Sequence, residues 1–122
     1  MSDYTFNKKY ITKSVDFIID LIKTKLNENN FFIGIGHGKK YNIIRVSSEN
    51  IYYTGNQRNQ GEPEVMDIAD LKTAIEGLKK LSVFNTNSDL LKERIPNSLY
   101  RKRTPLFGIL AYTEIIIKVE NK

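Results

Sequence analysis

Seven residues in this chain stand out as candidates to hold a polyanion, and most of them are crowded together. The stretch NSLYRKRTPLFGIL (97–110) sets Tyr100 beside three consecutive cations, Arg101, Lys102 and Arg103, just ahead of a threonine, a proline and an apolar run. Lys92 and Arg94 lie shortly upstream, and Arg58 sits among amides in GNQRNQGEP (55–63). Guanidinium forks and ammonium groups neutralise phosphates, and a tyrosine supplies a hydroxyl for a phosphate or a ring for a base. Arg58, in a loop bounded by glycines, reads first as an exposed loop side chain, with entry into a minor groove as the functional alternative.

The charge distribution points the same way. The net charge is +5 over 19 Lys and Arg against 14 Asp and Glu. Between Lys79 and Arg103 seven cations face only Asp89 and Glu93, which leaves +5; the remaining 12 cations and 12 acids cancel. A local excess of this kind is how a polyanion footprint looks in sequence.

Other constellations are weaker. GIGHGKK (34–40) lacks the register of a phosphate loop and precedes a strand rather than a helix, so a glycine-relieved hairpin is expected there. His37, the single histidine, has no partner for metal or triad chemistry, and without cysteine there is no thiolate nucleophile, disulfide or Cys-built zinc site. Asp67, Asp70 and Lys72 imitate a nuclease set but fall in the first turns of an amphipathic helix, where acids cap and favour the dipole. Glu62 and Glu64 read as a solvated loop. No enzyme activity, metal or cofactor is expected.

The elements that must position these residues follow from periodicity. Val15, Ile18, Ile19, Ile22 and Leu26 recur at helical spacing, capped by Thr12 or Ser14 and ended by NENN at 27–30. FFIGIG (31–36), YNIIRVS (41–47) and IYYT (51–54), joined by short turns, predict a three-stranded antiparallel meander, and 55–63 a surface loop. A second helix, capped by Asp67, carries Ile68, Leu71, Ile75, Leu78 and Leu81 on one stripe. A short third helix starts at Thr86 or Ser88 and ends at Pro96. Thr104-Pro105 predicts a helix start, with Thr as cap and Pro at the first helical position, and EIIIKVE forms a last strand. The fold class is therefore α+β, one domain over 1–122: an N-terminal helix, the meander, then a helical unit ending in a strand.

On this reading Arg101–Arg103 stand directly before a helix N-terminus. Cations there are unfavourable by roughly 0.3–1 kcal/mol each at low salt, and become useful when an anion docks. The order of helix, short helix, basic connection, helix and strand over the last half of the chain resembles a winged-helix arrangement, in topology rather than residue motif. The connection 95–104 departs from the 3–4 residue turn of a helix-turn-helix. The resemblance implies that helix 105–112 lies near the major groove with Arg101–Arg103 on phosphates, and its apolar face (Phe107, Ile109, Leu110) implies weak base specificity.

The expected function is nucleic-acid binding, to duplex DNA, by a DNA-recognition module or small regulator. The alternative is a protein-binding adaptor or inhibitor that docks an acidic partner surface. MSDYTFNKKY has no apolar run behind its charges, and no apolar stretch approaches the ~20 residues of a membrane span. A soluble cytoplasmic protein without a membrane partner is expected.

Overall fold

In the computed structural model, which describes residues 2–36, 38–55 and 62–120, the chain opens with a short strand β1 (Tyr4–Phe6) and a single 3-10 turn (Lys8–Tyr10) before helix α1 (Val15–Asn29). Strands β2 (Phe31–Ile33), β3 (Lys40–Val46), β4 (Asn50–Gly55) and β5 (Glu64–Asp67) follow. Then come helices α2 (Ile68–Lys79), α3 (Leu91–Arg94), α4 (Asn97–Tyr100) and α5 (Arg103–Tyr112), and the strand β6 (Ile116–Lys118).

Ser14 starts α1, its Oγ accepting the Phe17 N–H at 3.1 Å. Asn30 stops it in the left-handed region at φ 61° and donates its N–H to the Leu26 carbonyl at 2.8 Å. The stripe Ile18, Ile19, Ile22 and Leu26 is buried. In α2 the Asp67 carboxylate accepts from the N–H groups of Ala69 and Asp70, and Ile68, Leu71, Ile75 and Leu78 are buried. Both stripes match the predicted periodicity except at their ends: Val15 is only partly buried, and Leu81 lies past the end of α2 and packs half-buried against the core.

The sheet is wider than expected. Its order is β2-β3-β4-β5, antiparallel throughout, so the three-stranded meander has a fourth strand. Residues 64–67, expected as loop and cap, pair with Asn50–Tyr53 because Met66 can then bury opposite Ile51. The first strand stops at Ile33 rather than running to 36, because the turn that follows uses positive φ at Gly36 (76°) and Gly38 (67°). His37 and residues 56–61, Arg58 among them, lie outside the described residues. Phe32, Tyr41, Ile51, Tyr53 and Met66 form the buried face, where Phe32 stacks on Tyr41 with ring centroids 4.7 Å apart.

Two features have no counterpart in the sequence reading. β1 pairs antiparallel with β6, Phe6 opposite Ile116, so the ends of the chain form a second small sheet. Tyr4 also exchanges backbone hydrogen bonds with Phe84, at 2.7 and 2.9 Å, and burial pushes its hydroxyl pKa up. Rings of Tyr4 and Phe84 both meet Phe107 edge-on, at 5.8 and 5.7 Å.

Helix α5 sits at the centre of this packing. Every residue from Pro105 to Leu110 is buried. A helix apolar on all sides belongs inside a core. This corrects the placement implied by the winged-helix resemblance, because α5 has no free face to lay in a groove.

Candidate nucleic-acid interface

The basic segment is carried by two single-turn helices pinned to α2. Leu91, Ile95 and Leu99 are buried and hold α3 and α4 down. The approach to α2 is close enough that a β-carbon on Gly77 would collide with the Arg94 carbonyl. Ser98 Oγ donates to the Asp70 carboxylate at 2.6 Å, which ties α4 to the start of α2. With the apolar side chains turned inward, Lys92, Arg94 and Arg101 are exposed.

Tyr100 is the centre of the arrangement. Its half-buried ring lies 4.0 Å from the Arg103 guanidinium carbon and 5.7 Å from Lys92 Nζ, so two cations share one aromatic ring. Arg103 also donates through Nη1 to the Tyr100 carbonyl at 2.8 Å, which spends one of its five N–H donors. The remaining donors have no partner among the described residues.

Arg101, Lys102 and Arg103 are therefore not three equivalent free cations. Lys102 turns away and donates its ammonium to the Val65 carbonyl on the edge strand β5, at 2.6 Å. Arg103 stacks on Tyr100, and Arg101 alone of the three is exposed. The cause is α5: burying its first turn draws the aliphatic stems of residues 102 and 103 onto the fold, where their polar heads find backbone oxygens.

The helix start also differs from the predicted Thr104 cap. α5 begins at Arg103, with Lys102 as the cap residue and no side-chain cap bond. The break at Lys102 (φ −116°, ψ 36°) separates α4 from α5 and keeps Pro105 within the first turn, where its missing N–H costs no intrahelical bond. Of the four residues at this end, Lys102 gives its N–H to the Leu99 carbonyl at 2.9 Å and Pro105 has no N–H to offer. The backbone thus offers an anion only Arg103 and Thr104, and side chains must supply most of the attraction.

The competing constellations resolve into structural bonds. Asp67 caps α2, Asp70 accepts from Ser98, and Lys72 pairs with Asp16 at 2.9 Å. Lys79, counted in the basic excess, donates to the Lys13 carbonyl at 2.6 Å and lies 3.9 Å from Glu76, so it braces α2 against the start of α1. Among the described residues no three His, Cys, Asp or Glu side chains come together as metal ligands, and no helix is long and apolar enough to cross a membrane.

Sequence reasoning passed over a second set of cations over rings, on the open face of the sheet. Lys40 Nζ lies 4.6 Å from the centre of the Phe31 ring, and Arg45 Cζ 5.9 Å from that of Tyr52. Strand alternation in YNIIRVS and IYYT was a usable signal, but a bulge between Ile43 and Arg45 sets which residue faces Tyr52. No family model, curated protein or solved structure matches the chain.

Proposed function

We propose that the chain binds nucleic acid, with duplex DNA as the ligand, through the face built from α3, α4 and the first turn of α5. The observation that carries this reading is the Lys92–Tyr100–Arg103 cluster. Two like charges over one ring repel each other. Among the described residues no carboxylate lies within 4.0 Å of Lys92, Arg94, Arg101, Lys102 or Arg103. A phosphate docked at this cluster offsets that repulsion by pairing with the Lys92 ammonium or the Arg103 guanidinium. Arg94 and Arg101 extend the footprint along the strand. With α5 inside the core, the grip is on backbone phosphates and discriminates little between sequences.

Fluorescence anisotropy with a labelled duplex tests the proposal. Each lost phosphate contact weakens binding about fivefold at about 150 mM salt, as the counterion-release slope requires. Lys92→Gln combined with Arg103→Gln should therefore cost about 25-fold, similarly for unrelated sequences. An unchanged affinity in the double variant would refute this site. Tight binding to an acidic protein, with none to bare DNA, would assign the same surface to an adaptor.

A further inference from the structure

The four-stranded sheet buries one face and leaves the other open. On the open face the register sets Arg45 and Val65 on either side of Tyr52, while Phe31 and Ile33 stand on the neighbouring edge with Lys40. Ile33 is 37% and Val65 42% exposed, while at the β2 edge the Phe31 ring meets the Tyr112 ring of α5 with centroids 5.7 Å apart, so the open part of the face centres on Tyr52. Its two cations lie over its two aromatic rings, and neither has a carboxylate within 4.0 Å among the described residues. The acid at the end of this face, Asp67, is engaged in capping α2.

This face is joined to the basic segment. Lys102 donates to the backbone of Val65, the residue directly across from Tyr52. A polyanion held by α3 and α4 is therefore led to the edge of a sheet that presents rings and cations together.

We propose that the open face stacks unpaired bases of a single-stranded segment, with Tyr52 as the platform and Arg45 and Lys40 meeting its phosphates. The inference rests on the nucleic-acid reading of the α3–α5 face and names the kind of ligand: a strand with unpaired nucleotides beside the part held there. Ring and cation are both used by such a strand, because every base has a π face and every linkage a charge. An apolar protein surface would bury Arg45 and Lys40 unpaired, which is costly. A second copy docked by two-fold symmetry would bring the same cations to the same contact.

The experiment compares a labelled 15-nucleotide oligothymidine with a duplex of equal length. Variants are Tyr52→Ala, Tyr52→Phe, Arg45→Gln and the Lys92→Gln/Arg103→Gln pair. Tyr52→Ala should weaken single-strand binding about tenfold or more, in line with stacking contributions measured by alanine substitution. Duplex binding should stay within about twofold, and Tyr52→Phe should retain single-strand affinity because the ring is kept. Should Tyr52→Ala fail to fold in urea titration, Arg45→Gln at an exposed position carries the test, with a loss of about fourfold on the single strand. Single-strand binding indifferent to these changes, with duplex binding intact and lost in the Lys92/Arg103 pair, overturns this inference and leaves the proposed function standing. No binding to either nucleic acid overturns both. A concentration-dependent dimer abolished by Tyr52→Ala gives the face to a second copy and overturns the inference too.

Discussion

The ammonium of Lys102 and the carbonyl of Val65, 37 residues apart in sequence, meet at 2.6 Å on the outer edge of the sheet. The bond occupies an acceptor on an edge strand and sets a positive charge beside it, two devices that discourage pairing with another chain. It falls at the break between α4 and α5, one residue before the Arg103 that stacks on Tyr100.

Lys102 and Arg101 should therefore behave differently although they are adjacent. Lys102→Met keeps the stem and removes the donor, at an expected cost of about 0.5–1.5 kcal/mol. Arg101→Gln, at an exposed site, should stay within about 0.5 kcal/mol. Urea unfolding of both variants measures the contrast. Equal costs would mean that the bond to Val65 contributes nothing to stability.

Gly77 is required by contact rather than by backbone conformation. Its missing side chain admits the Arg94 carbonyl, so Gly77→Ala forces α3 away from α2. The expected cost is about 1–3 kcal/mol, comparable to overpacking a core. The displaced α3 carries Lys92 from Tyr100, so duplex binding should weaken in parallel. Thermal unfolding and anisotropy on the same preparation check the pairing of the two effects.

How much of this was legible in sequence depends on how far apart the partners are. α1 and α2 were readable because their stripes and caps are local: Ser14 to Phe17, Asp67 to Ala69. β1 was not, because Tyr4–Phe6 is a strand only by virtue of Ile116–Lys118 at the other end of the chain. β5 is four residues long and is defined by β4. The concentration of positive charge was plain in the sequence. Its division into exposed Arg94 and Arg101, stacked Arg103 and tethered Lys102 depended on how deeply α5 is buried, which the Thr104-Pro105 signal did not reveal.

α5 ends in a left-handed cap filled by an unusual residue. Glu114 has φ 64°, its N–H going to the Ala111 carbonyl at 3.0 Å and that of Ile115 to Leu110 at 2.9 Å. Side chains other than glycine resist this conformation by roughly 1–2 kcal/mol, offset in part by the chain entropy that glycine loses on folding. Glu114→Gly should raise stability by up to about 1 kcal/mol, seen as a higher urea midpoint at unchanged slope. A lower midpoint would mean that the glutamate side chain stabilises the cap.

The most direct test of the central claim is the salt dependence of duplex binding. Log affinity should fall linearly with log salt, by about 0.9 for each phosphate neutralised. Changing Lys92, Arg94, Arg101 and Arg103 together to Gln should flatten that slope by about 3–4 and spare Lys102 for the fold. An unmodified protein that binds no tighter than the ~10⁻⁴–10⁻⁶ M of any basic surface, or a slope that the four changes leave untouched, would contradict the assignment of this face to nucleic acid.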